Sequence, residues 1–117
     1  MIISVIGGSK AKPEHLALAE EVGQELGKRN VMVACGGLHG VMEAVCRGAK
    51  SAGGTTIGIL PGRTSKDANN YVDIPIVTTM GFSRNVIVVN TLVMNKKQTP
   101  VLIVVKNRKL LNYVCQL

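Results

Sequence analysis

The chain opens on a short, mostly apolar run, "MIISVI", that stops at Gly7-Gly8-Ser9. A short apolar run closed by glycine predicts a buried strand. The period then changes. From Glu14 to Lys28 apolar residues recur at Leu16, Ala19, Val22 and Leu26, which is helix spacing. Pro13 stands ahead of this stretch and suits a first helical turn. Glu20, Glu21 and Glu25 precede Lys28 and Arg29, the order the helix dipole favours, and Asn30 is the expected stop. "VMVAC" predicts a second strand, followed at once by Gly36, Gly37 and Gly40. From Val41 small and apolar residues return at Ala44, Val45, Gly48, Ala49 and Ala52, a stripe expected to lay a helix close against a sheet, with Gly53-Gly54 at its end. "TTIGILPG" predicts a third strand, halted by Pro61-Gly62. Residues 63–73 are polar and predict a loop, and "VDIPIV" a short extended piece. Strand, helix, strand, helix, strand with short turns is a βαβαβ unit, which implies a parallel sheet with right-handed crossovers. The segment "SRNVIVVNTLVMNKK" reads both ways: its β-branched density favours a strand, its length a helix.

Composition fits this picture and narrows it. A chain of 117 residues with 46% hydrophobic and 18% charged residues is expected to form one globular domain. Aromatic residues are scarce (Tyr71, Phe82, Tyr113), so the core must be built from Val, Ile, Leu, Met and Ala, as in a buried parallel sheet. No apolar run reaches membrane-spanning length, and the first residues lack the basic start of a signal peptide. Cys35, Cys46 and Cys115 are an odd count without metal-ligand spacing; they predict reduced thiols, a cytoplasmic location and no metal site. The net charge of +7 is uneven. Beyond Asp73 there is no acid, while Arg84, Lys96, Lys97, Lys106, Arg108 and Lys109 remain. Such a basic end suits phosphorylated ligands; without interleaved aromatics it does not predict nucleic-acid binding.

The candidate chemistry lies in the glycines. A tight turn from a parallel strand into a helix leaves backbone N–H groups unpaired, and the helix dipole adds positive charge, so the turn suits an anion such as phosphate. A Cβ there would obstruct both the turn and the approaching phosphate. Gly36, Gly37 and Gly40 form one such turn, and Gly7, Gly8 and Ser9 a second after the neighbouring strand. Both are expected at the carboxyl edge of the sheet, where open α/β folds bind ligands. Neither turn is a P-loop or a G-x-G-x-x-G fingerprint. The plain alternative is that the glycines only make tight turns. Cys35 ends a strand beside a helix start, where a thiol's pKa can fall, and His39 is near it in sequence; the plain reading is a packed thiol and a polar turn histidine.

Taken together, "VIGGS", "CGGLHGVMEAVCRGAKSAGG", "TIGILPG", "YVDIPIVTTMGFSRN" and "VIVVNT" resemble the Rossmann-like group long labelled "possible lysine decarboxylase". That group contains the LOG phosphoribohydrolases, which release a base from a nucleoside monophosphate, and the molybdenum cofactor carrier proteins, which are closer in motif wording. The resemblance covers roughly residues 1–91 and leaves 92–117 divergent. It implies a three-layer α/β/α fold with a mostly parallel sheet, short or truncated at its C-terminal end, and a helical "SRNVIVVNT". It implies a phosphate site at Gly36, Gly37, Gly40, Val41 and Met42, with His39, Pro61 and Asn85 in the same ligand-binding set. Arg84 takes the place of a family arginine that binds or activates substrate; a guanidinium suits bidentate phosphate binding. Glu43 follows the family's wording and is the weaker catalytic candidate beside Arg84, since a carboxylate at a helix start also has a structural use.

The departure comes after Thr91. The family's second glycine turn and the glutamate that follows it are not found in "LVMNKKQTPVLIVVKNRKLLNYVCQL". Either "VLIVV" is the family's fourth strand with "KNRK" replacing the turn, or a segment is missing and "VLIVV" matches a later strand. Three functions stay open: a binding protein for the molybdenum cofactor, an AMP-like nucleotide or another phosphate-bearing small molecule; a nucleoside monophosphate phosphoribohydrolase; and an inactive, self-associating remnant. A homodimer or larger homo-oligomer is expected in each.

Overall fold

The computed structural model describes residues 1–91 and the backbone of a strand at residues 102–104. The basic residues from Lys96 onward and Cys115 lie outside the described residues. Five strands, β1 (Ile2–Ile6), β2 (Met32–Cys35), β3 (Thr56–Leu60), β4 (Ile74–Val77) and β5 (Leu102–Val104), form one sheet in the order β4-β3-β2-β1-β5. Every neighbouring pair is parallel, with Ile3 opposite Val33, Ala34 opposite Ile57, Gly58 opposite Pro75, and Val5 opposite Ile103. The order reverses between β1 and β5, so the carboxyl end of β1 is the topological switch point of the sheet.

Helices α1 (Pro13–Lys28) and α2 (Val41–Ser51) share one face. Ile3 and Val5 of β1 and Val33 and Cys35 of β2 point into the same buried cluster as Leu18, Val22 and Leu26 of α1 and Val45 and Ala49 of α2. Side chains alternate along a strand, so Ser4 points the other way. There its hydroxyl donates to the Val88 carbonyl at 2.7 Å, which places α3 (Asn85–Asn90) on the opposite face. The layers are therefore helix pair, sheet and helix, as the family resemblance implies.

The small residues of α2 serve a second neighbour besides the sheet. A Cβ added at Gly48 would sit 2.0 Å from the Glu20 carbonyl oxygen, and one at Gly23 of α1 would sit 2.1 Å from that of Val45. The stripe lets the two helices approach each other, backbone to backbone, while its Ala44, Val45 and Ala49 pack α2 into the core cluster with β1 and β2, as expected. Arg47 of α2 and Glu20 of α1 pair at 3.1 Å over the same contact. Asn30 takes a left-handed φ of 55° just past α1, consistent with its expected role as the stop.

"SRNVIVVNT" is helical at residues 85–90 despite its β-branched content, preceded by a 3₁₀ turn at Gly81–Arg84. The loop over residues 63–73 holds one short 3₁₀ turn, Ser65–Asp67. "VDIPIV" supplies β4, whose residues are all exposed. Strand β5 lies where "VLIVV" as the strand next after the switch would lie, beside β1. No helix among the described residues is long and apolar enough to cross a membrane.

Candidate functional site

The two glycine turns are interlocked. A Cβ at Gly7 would fall 2.2 Å from Val41 Cγ1, and one at Gly40 would fall 2.5 Å from the carbonyl oxygens of Gly8 and Ser9. The Val41 N–H donates to the Gly8 carbonyl at 3.1 Å. This closeness, not only a tight bend or an approaching ligand, requires glycine at these positions. Gly40 also has a φ of +69°, which L side chains rarely adopt. The turn thus answers one of the helix-start amides from within the protein. The next two, on Met42 and Glu43, have no partner among the described residues.

Where the turns meet the carboxyl end of β1 there is a cavity of about 280 Å³. Its wall holds Gly7, Gly8, Ser9, Gly36, Met42, Arg84 and Asn85, seven of the residues singled out from the sequence. Leu38, Phe82 and Val88 line it as well, and nothing in the sequence pattern separated them from ordinary apolar positions. Among the described residues no Asp or Glu lines it. Its volume is at the small end for ligand sites.

Arg84 is placed differently from a free clamp. It is only 6% exposed. Its Nη1 donates to the carbonyls of Gly36 and Ile59, tying the glycine turn to the end of β3. A Cβ at Gly36 would lie 2.6 Å from that nitrogen and 2.6 Å from Met42 Sδ, so Gly36 is a glycine because the guanidinium occupies the space. Among the described residues Nε is buried with no partner and no carboxylate pairs with Arg84. Burial lowers its hold on the proton, opposed by the nearby Cys35 sulfur, yet an arginine stays charged in proteins. A buried, unneutralised cation with an unused donor is costly unless an anion answers it.

Glu43 and His39 do not join this wall. Glu43 accepts from or is paired with His39 Nδ1 at 3.1 Å, and both line a second cavity of about 410 Å³ with Leu38, Lys66, Asp67 and Asn69. The helix start directs Met42 to the first cavity and Glu43 to the second, so Glu43 does not line the cavity that Arg84 lines. Gly37, Gly40 and Val41 build the turn behind the first cavity without lining it. Pro61 lines neither cavity; its carbonyl accepts the Gly81 N–H at 3.0 Å and so anchors the 3₁₀ turn ahead of Arg84.

Asn69, read from sequence only as part of a loop, holds the second cavity to the first. Its side-chain amide donates to the Gly37 carbonyl at 3.3 Å and the Leu38 carbonyl at 2.8 Å, and its oxygen accepts the Tyr71 N–H at 3.0 Å. The Asn-Asn pair marked the turn but could not say which backbone it would grip. Among the described residues no group of His, Cys, Asp or Glu could hold a metal ion.

The fold and site define an open, parallel α/β protein with a glycine-walled, cation-bearing cleft at its switch point. Residues 1–94 match the SLOG cluster4 family model, and the chain belongs to that family. It is 43% identical over 91 residues to an uncharacterised protein of Archaeoglobus fulgidus, covering 78% of this chain. The chain spans 60% of the length of that relative. Among solved structures it is similar to the molybdenum cofactor binding protein of the phototrophic bacterium Rippkaea orientalis, with a TM-score of 0.80 and 34% identity over 97% of this chain and 69% of that one. It is also similar to the molybdenum cofactor carrier protein of Chlamydomonas reinhardtii, with a TM-score of 0.73 and 39% identity over 89% and 60% of the two chains.

Proposed function

We propose that this protein binds a phosphate-bearing small molecule in the cavity at the end of β1, in the manner of a molybdenum cofactor carrier. The observation that carries the reading is Arg84: a buried cation that among the described residues has no carboxylate partner and an unused Nε, in the wall of a cavity made mostly of glycine turns and apolar side chains. A phosphate supplies the missing negative charge. The free Met42 and Glu43 amides and the positive end of α2 add to the attraction. Phe82, 91% exposed at the same cavity, offers a ring face to a planar heterocycle. The two cofactor proteins among the similar structures make the molybdenum cofactor the leading ligand, with an AMP-like nucleotide second.

The phosphoribohydrolase reading is the weaker one. Cleaving an N-glycosidic bond develops positive charge at the sugar, which a nearby carboxylate would stabilise. The cavity has none, and Glu43 is in the other.

Calorimetric titration with AMP and with inorganic phosphate tests the proposal. Saturable binding of both, weakened at least tenfold in Arg84→Met, is the expected result. Binding of neither ligand would overturn it. Release of free adenine from AMP, lost in Glu43→Gln, would move the assignment to hydrolysis.

A further inference from the structure

The sulfurs of Cys35 and Cys46 lie 3.5 Å apart, both fully buried. Cys35 is the last residue of β2, and Cys46 is in the second turn of α2, so a bond between them would close a ring over residues 35–46. That ring contains the whole glycine turn, together with Met42 of the cavity wall. A disulfide needs about 2.05 Å between sulfurs, so the pair must close by roughly 1.5 Å, a movement of side chains and a small shift of one helix. We propose that Cys35 and Cys46 form an oxidation site, in which hydrogen peroxide joins them as a disulfide that tightens the adjoining cavity's grip on anions.

Three neighbours prepare the reaction. The Cys35 and Cys46 sulfurs are within hydrogen-bond reach, so that Cys46 can donate to Cys35 once Cys35 loses its proton; the Gly37 N–H donates to the Cys35 sulfur at 3.4 Å, and the Arg84 charge is close enough to act on it. Together they lower the Cys35 pKa against the opposing effect of burial, while the same pairing and burial push Cys46 up. Cys35 is therefore the attacking thiolate. It breaks the peroxide O–O bond, taking one oxygen as sulfenic acid and releasing hydroxide, which the Cys35 proton converts to water. The Cys46 sulfur then attacks that of Cys35; the S–O bond breaks, the S–S bond forms, and the departing hydroxide leaves as water with the Cys46 proton. In sum, two thiols and one peroxide give one disulfide and two waters.

The link to ligand binding follows from what Cys35 now does. Its sulfur accepts the Gly37 N–H at 3.4 Å. A disulfide sulfur is a poorer acceptor, so oxidation loosens that bond and leaves the turn's N–H freer for an anion. The ring also restricts the turn before ligand arrives, which lowers the ordering cost of binding. This second half rests on the anion site proposed above; the disulfide itself rests only on the geometry of the pair.

The test uses the full chain with Cys115→Ser, which silences the third thiol. The protein is treated with hydrogen peroxide, blocked with N-ethylmaleimide and mapped by peptide mass. The expected result is loss of two hydrogens, a joined peptide linking Cys35 to Cys46, and reversal by dithiothreitol. Oxygen adducts on separate cysteines, or thiols that stay unreacted, would overturn the site. AMP titration of the reduced and oxidised forms is expected to show roughly three- to tenfold tighter binding after oxidation. In Cys46→Ala, peroxide is expected to leave AMP affinity unchanged. Equal affinity of the two wild-type redox forms overturns the coupling while leaving the disulfide. No AMP binding in either form overturns the anion site, and the mass result stands apart from it.

Discussion

Two cavities flank one glycine turn, share Leu38, and differ in charge. The cavity at the end of β1 has a buried arginine and no acid. The cavity beside it has His39, Glu43, Lys66 and Asp67, all reachable by solvent. An exposed mixture of charges can neutralise itself with water and with its own members, as His39 and Glu43 do. A buried guanidinium has neither outlet. The difference teaches that charge alone does not mark a ligand site; the absence of a local answer to a buried charge does.

The comparison is broken most severely at Arg84. Arg84→Met should abolish the carbonyl bridge between Gly36 and Ile59 and cut phosphate and AMP affinity at least tenfold, read by calorimetry, with a lower melting temperature because two carbonyls lose a charged donor. Arg84→Lys should keep charge yet recover little, since one ammonium does not reproduce the planar fork.

Next comes Asn85, exposed on the wall of the same cavity. Asn85→Asp places a carboxylate there without disturbing the core. Phosphate and AMP should both bind about tenfold more weakly, roughly 1.4 kcal/mol, with little change in melting temperature. Phe82→Ala should separate the two ligands: AMP affinity falls about fivefold, of order 1 kcal/mol for one ring contact, while inorganic phosphate binds as before. Equal losses for both would show that Phe82 does not meet the heterocycle. Glu43→Gln, in the second cavity, should leave both affinities within a factor of two, an expectation that follows only if the cavities act separately.

A smaller effect concerns stability rather than binding. Asp73 ends the polar loop and ties β3 to its neighbour: its carboxylate accepts the Thr56 N–H at 3.0 Å and pairs with Lys50 at 2.9 Å. Burial raises its pKa, but Lys50 and the Thr56 N–H outweigh that and hold the carboxyl below its ordinary value. The folded state therefore binds the proton less readily than the unfolded one. The resulting stability is present above the unfolded pKa of about 3.9 and is lost as pH falls through the lower folded value. Denaturant melts of Asp73→Asn should show a shallower acid limb than the wild type, most clearly below that pH.

Much of the fold was legible because it is local. The strands β1 to β3 and both long helices follow from runs, periods and glycine stops in the chain, and β4 from its short apolar stretch. The helix at residues 85–90 was legible only through the family resemblance, since Val86, Ile87, Val88 and Val89 favour a strand on propensity; contacts on the far face of the sheet, among them Ser4 with Val88, favour it. The site was legible to a lesser degree. Glycine positions announced two turns, and seven residues singled out in advance surround one cavity. What each does there depends on partners far away in sequence. Gly36 answers to Arg84, Gly7 to Val41, and Glu43 turns aside because adjacent helix positions face different directions. The small residues of α2 likewise serve α1 as well as the sheet, a second use their spacing does not announce.

The most direct measurement is a crystal structure of the protein grown with saturating AMP. The account predicts phosphate density within hydrogen-bond distance of the Arg84 guanidinium, between Gly7–Ser9 and the start of α2, with the adenine against Phe82. An empty cavity, or a nucleotide seated instead among His39, Glu43 and Lys66, would contradict it.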